Sequence, residues 1–179
     1  MDTSVRPGTI SVEIGADGET PLRLEWALDA MGAMGGRSSP FALPAPWRAE
    51  HGLQLDEARL RVVSAAFEDG MALGLAGLRP PGATGHDAER LSATLFRPGA
   101  DPIVILEALV STQFDAEGSV SRLGIEVYET EDSAPLRIAA DVGESQTREA
   151  DGIRNEAVAM AFRVEGFTGS GLHEFLTRV

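Results

Sequence analysis

Leu22-Arg23-Leu24-Glu25-Trp26-Ala27-Leu28 decides the fold class. Leu22, Leu24, Trp26 and Leu28 fall on one face and Arg23, Glu25 and Ala27 on the other. A strand presents side chains to opposite faces in turn, so this rhythm predicts a half-buried strand and not a helix.

The same two-residue rhythm extends in both directions. Thr9–Ile14 alternates, and Gly15-Ala16-Asp17-Gly18 supplies turn residues before a strand from Leu22 to about Asp29, so the two predict a hairpin. From Ala30 to Gly52 the pattern breaks. Met31-Gly32-Ala33-Met34-Gly35-Gly36 is followed by Pro40, Pro44, Pro46 and Trp47. This Gly/Pro-rich stretch reads as a long loop, a lid or binding loop, with a partly disordered connection or a short helix plugging one barrel end as the alternatives. Asp69-Gly70 reads as a two-residue hairpin turn, pairing Phe67 with Ala72, Ala66 with Leu73, Ser64 with Leu75 and Val62 with Gly77. Large faces small at each pair, which favours a strand over the helical alternative for Asp56 to Phe67.

Further strands are expected at Glu89–Arg97, Ile103–Phe114, Ser119–Thr130, Leu136–Asp141, Asn155–Glu165 and Leu172–Arg178. Val104, Leu106, Ala108, Val110 and Phe114 share one face of the second of these. Leu123, Ile125 and Val127 share a face of the third, and Val158, Met160, Phe162 and Val164 a face of the fifth. Gly143 to Gly152 reads as a polar loop and Gly166–Gly171 as a turn. About ten strands without intervening helices predict an all-β antiparallel barrel of about eight to ten strands, in one domain over residues 1–179, with a two-sheet sandwich as the alternative.

The 179 residues are 43% hydrophobic and carry a formal net charge of -13. Such a charge repels phosphate backbones and anionic lipid heads, so nucleic acid is not an expected partner. Cysteine is absent, which excludes disulfides and thiolate chemistry, and all 15 basic residues are arginine, which excludes a lysine Schiff base. Met1 to Pro7 show no basic start with an apolar run, and no stretch approaches the roughly 20 apolar residues of a membrane helix. The expected location is therefore the cytoplasm.

Chemistry is sparse. Gly166-x-x-Gly169-x-Gly171 lacks the following helix that a nucleotide loop needs, so no cofactor is expected. His51, His86 and His173 are far apart, and metal ligands usually come in close pairs, so no metal site is expected. The acidic groups Glu68-Asp69 and Glu129, Glu131 and Asp132 lie near turns. Glu107 interrupts an apolar run on what reads as the outer face; pointing inward it would be a candidate general acid. His173 and Glu174 are neighbours on a strand and should face opposite ways. No catalytic residue is assigned. The expected ligand-lining residues are Trp26, Trp47, Met31, Met34, Phe114 and Phe162, aromatic or flexible apolar groups that suit a lipid-like guest.

Asn155 to Phe175 alternates into a glycine-rich stretch and ends in Gly171-Leu172-His173-Glu174-Phe175. Together with Glu68-Asp69-Gly70 before an apolar strand, it resembles the closing strands of lipocalin-like barrels in the AttH and carotenoid hydratase (hydroxyneurosporene synthase) group. The resemblance implies a calycin-type barrel with an apolar cavity for isoprenoid or other lipid-like molecules. The expected function is a binding module for a small apolar molecule. The alternatives are a hydratase or isomerase using Glu107 or His173, and a ligand-free interaction domain that self-associates through Ala157, Ala159 and Ala161.

Overall fold

A computed structural model of the chain describes residues 8–15, 20–34, 41, 45–85 and 88–179. These hold twelve strands and one short helix: β1 (Thr9–Ile14), β2 (Leu22–Ala27), α1 (Leu28–Ala33), β3 (Trp47–Ala49), β4 (Arg59–Phe67), β5 (Ala72–Arg79), β6 (Arg90–Phe96), β7 (Ile103–Val104), β8 (Glu107–Phe114), β9 (Val120–Tyr128), β10 (Leu136–Ala150), β11 (Ile153–Val164) and β12 (Phe167–Arg178). The fold is all-β, as the alternation predicts.

Nine strands form one antiparallel sheet in the order β7-β6-β5-β4-β12-β11-β10-β9-β8. It curls into a half-barrel whose edges meet at one point. The Ile105 N–H donates to the Ala93 carbonyl on β6, and the Leu106 N–H donates to the Tyr128 carbonyl on β9, each at 2.9 Å. Two successive residues thus bond near opposite ends of the sheet, to the strands just inside its edges. The concave side holds a packed apolar core that includes Val63, Leu73, Leu75, Leu95, Ile125, Ile138 and Phe162.

The other three strands, in the order β1-β2-β3, make a small sheet that covers part of the convex side. Ile10, Val12, Leu24 and Trp26 pack there against Leu60, Val62, Ala76, Leu172 and Leu176. β4 therefore feeds two cores: Val63 and Ala65 face the concave one, Val62 and Leu60 the convex one. Trp26 is fully buried, donates from Nε1 to Ser64 Oγ at 2.8 Å, and lies over Gly74, where a Cβ would come within 2.9 Å of the ring.

Several expectations change in detail. The β1–β2 hairpin pairs Val12 with Leu24 and Ile10 with Trp26, but the chain turns helical at Leu28, and Trp47 lies in a third strand instead of a loop. The turn residues Ala16, Asp17 and Gly18, the prolines Pro40 and Pro44, and His86 lie outside the described residues. The β4–β5 register is one residue off: Ala65 pairs with Leu73 and Val63 with Leu75. Phe67 bonds Met71, so the loop is Glu68-Asp69-Gly70, and only Gly70 has a positive φ. A two-residue type I′ turn would need positive φ at both central positions. The break between β7 and β8 leaves Val104 and Leu106 exposed while Ile105 and Ala108 are buried. Residues 143–150 are strand, not loop, because β11 pairs with them to Ala150↔Ile153. Gly169 and Gly171 belong to β12, not to a turn. Backbone of β4 approaches so closely that a Cβ at Gly169 would sit 2.6 Å from the Ala66 carbonyl oxygen.

Candidate functional site

Arg59-Leu60-Arg61 carries the polar chemistry of the concave side. Alternation along β4 sends Leu60 to the convex core and both arginines inward. The register sets Arg61 opposite Gly77 on β5 and Phe175 on β12. Glycine at 77 makes room for a carboxylate, since a Cβ there would lie 2.6 Å from Glu89 Oε1. Glu89 fills that space and pairs with Arg61 through Nε–Oε1 at 2.7 Å and Nη2–Oε2 at 3.2 Å.

Arg61, only 5% exposed, uses both Nη1 hydrogens across the concave side. Nη1 donates to Thr112 Oγ1 on β8 at 2.8 Å and to His173 Nε2 on β12 at 2.9 Å. One guanidinium thus ties together β4, β8, β12 and the start of β6. Charge-assisted bonds of this kind are about twice as strong as neutral ones, and the planar fork fixes their directions.

The Arg61 contact fixes the state of His173. A guanidinium only donates, so Nε2 accepts and the ring proton sits on Nδ1. Burial, with the Arg61 and Arg59 charges adding to it, pushes the histidine pKa down to about 3. The ring is therefore neutral near pH 7. Its Nδ1 is buried and has no hydrogen-bond partner among the described residues. Phe175 stands perpendicular to the imidazole with centroids 4.6 Å apart, and carries Arg59 at 3.8 Å and Arg61 at 4.8 Å from its own centroid. Such stacking over an aromatic face is attractive for a guanidinium.

Beside Arg59 and Phe175 a cavity of about 620 Å³ opens between the β8–β9 turn and the β10–β11 hairpin. Phe114, Val120, Val142 and Val158 give it apolar patches, but more of its lining is polar, with Asp115, Glu117, Arg154 and Glu156 among it. The volume lies within the range of small-molecule sites.

Glu174 points the other way, as adjacent strand positions must. It is 4% exposed on the convex side, where Trp47 Nε1 donates to it at 2.6 Å and Asn155 Nδ2 at 2.8 Å. Burial pushes its carboxyl pKa up, against the lowering effect of those two bonds.

The six residues expected to line a ligand are not brought together. Trp26, Met31 and Met34 are buried in the convex core, where they fill space between the sheets. Phe162 is in the concave core, edge-on to Phe67 at 6.2 Å. Trp47 covers Glu174. Phe114, half exposed, alone of the six reaches the cavity. Glu107 is exposed on the outer face, as its alternation favours. His51 is exposed, and no group of three metal-ligating side chains occurs among the described residues. The sequence reading gave no site role to Arg59, Arg61, Glu89, Thr112 or Phe175, although Phe175 closes the Gly171–Phe175 motif. The available signal was Arg59-x-Arg61, two cations on one face of an apolar strand.

A second groove of about 620 Å³ runs over the convex side of β8–β11, with Leu109, Gly124, Ala139 and Phe167 in its lining. Of its charged groups, Arg137 pairs with Glu126 at 2.8 Å and Arg163 with Asp141, while Glu165 also lines it. No described helix is long and apolar enough to cross a membrane.

Compared with known proteins, the chain matches no family model, no curated protein sequence and no solved structure.

Proposed function

We propose that the chain is a lipocalin-like binding module for a small lipid- or isoprenoid-like molecule, seated in the concave cavity beside Phe175. The observation that carries this reading is a cavity that sets apolar walls beside the Arg59 guanidinium stacked on Phe175. Phe114, Val120, Val142, Val158 and Phe175 offer surface to a tail, and Arg59 offers a donor to a head group. Most ligand sites combine such walls with a few placed polar groups.

Binding fits the site better than catalysis. A hydratase or isomerase needs a group that exchanges protons near neutral pH. His173, held at about 3, does not titrate there, and Glu107 faces solvent. Native mass spectrometry of freshly purified protein, with melting scans across fatty acids and isoprenoid alcohols, tests the reading. A co-purifying mass or a rise in melting temperature supports it. Unchanged melting across the whole panel, with no adduct, overturns it.

A further inference from the structure

We propose that a second site, on the convex side of the large sheet, binds a primary ammonium group between Glu174, Asn155 and Gln146. It lies on the face opposite the concave cavity and does not depend on what that cavity holds.

Strand register builds the site. Gln146 on β10 stands opposite Ala157 on β11, and Ala157 opposite Glu174 on β12, with Asn155 two residues along the same face of β11. The small side chain of Ala157 leaves a hollow of about 90 Å³ that Gln146, Asn155 and Glu174 line. Arg148 also lines it and is exposed, so the hollow reaches solvent. Glu174, 4% exposed, is bonded by Trp47 Nε1 and Asn155 Nδ2, both neutral donors. No arginine nitrogen lies within 4.0 Å of its carboxylate among the described residues. Arg148 is not its counter-ion, because that guanidinium donates to the Phe41 carbonyl at 3.3 Å.

A buried carboxylate without a cation is costly, and burial pushes the Glu174 pKa up accordingly. Its two hydrogen bonds leave each oxygen a free lone pair. An ionised carboxylate only accepts, so Asn155 must turn Nδ2 towards it. That leaves Asn155 Oδ1 buried with no donor among the described residues. An orphaned carbonyl beside an unneutralised carboxylate calls for a donor that carries positive charge. The Gln146 amide adds a third oxygen, and three acceptors match the three hydrogens of an alkylammonium. A calcium ion would need about six to eight oxygens, more than these side chains supply. All 15 basic residues of the chain are arginine, so none of its own side chains can provide the group. The amine is a free alkylamine or a lysine of another protein.

Trp47 reports on the site, because it bonds Glu174 and the chain has only two tryptophan indoles. Proton–nitrogen correlation spectra of the whole chain, at pH 8 and constant ionic strength, are followed with methylammonium, tetramethylammonium and potassium chlorides. Methylammonium is expected to shift the Trp47 indole signal saturably, half-way at about 10 mM, near the ceiling for a ligand of two heavy atoms. Tetramethylammonium, which has no N–H, and potassium should act at least about tenfold more weakly. Glu174→Gln keeps an acceptor for Trp47 and should abolish the methylammonium shift. Gln146→Leu should weaken it about fivefold, the size of one neutral hydrogen bond. Nα-acetyl-lysine methylamide separates the sources: tighter binding than methylammonium assigns the group to a partner protein's lysine, and equal or weaker binding to a free amine. A wild-type response to potassium or tetramethylammonium equal to that for methylammonium overturns the ammonium site, as does the absence of any saturable shift. Either result leaves the concave cavity untouched and needs no variant to fold.

Discussion

Burial of a neutral imidazole against a guanidinium makes stability depend on pH in a defined direction. The folded-state pKa of His173 is pushed from 6.5 to about 3, so its contribution is fully present above pH 6.5. It is lost as pH falls from there towards 3, because the unfolded chain takes up a proton that the folded chain does not. The slope is about 1.4 kcal/mol per pH unit for one such proton. Glu174 acts oppositely: its raised pKa adds stability at low pH that is lost as pH rises through the folded value. Urea unfolding from pH 7 to 5 should therefore show a steeper acid loss in the wild-type chain than in His173→Phe. Parallel curves would show that the imidazole is not held neutral by the fold. The sequence placed His173 and Glu174 on opposite faces through strand geometry alone. It could not show that Arg61 lies beside the histidine, because 112 residues separate them and only the long-range pairing of β12 with β4 brings them together.

Closure of the half-barrel runs through two peptide groups as well as the side-chain ties Arg97–Glu129 and Arg61–Thr112. Leu106 is exposed, yet its N–H bonds β9, the strand next to one edge, while the Ile105 N–H bonds β6, the strand next to the other. Leu106→Pro removes the donor and leaves the Tyr128 carbonyl without it, at a cost of about 1–3 kcal/mol. Leu106→Ser keeps the N–H and should stay within about 0.5 kcal/mol of the wild type, as surface changes usually do. Hydrogen exchange along β7 and β8 checks the cause: protection should fall in the proline variant only. Element existence was legible wherever one face is dry and the other wet, as in β2, β9 and β11. Register was not legible for β4 and β5. Both are buried on two faces, so a one-residue slip violates no hydrophobic pattern. Residues 143–150 failed for the opposite reason, since a hairpin that runs out into solvent buries neither face and shows no alternation.

At the scale of the molecule, two cores share one wall. β4, β5 and β12 present one set of side chains to the concave core and the alternate set to the small sheet, so neither core can loosen without exposing the back of the other. Coupling of this kind predicts one cooperative transition. The chain carries its own reporters, because both tryptophans sit in the small sheet, paired across β2 and β3. Trp26 reads the buried centre of the contact and Trp47 its border at Glu174. Far-UV circular dichroism is dominated instead by the nine strands of the larger sheet. Tryptophan emission and circular dichroism followed in the same denaturant titration should thus give the same midpoint and slope. An emission midpoint well below the dichroism midpoint would mean that the small sheet detaches first and that the shared wall does not couple the cores. Trp26→Phe sharpens the comparison, because it removes the bond to Ser64 and part of the packing over Gly74. If the wall couples the cores, that substitution lowers the dichroism midpoint of a sheet in which Trp26 is not a strand residue.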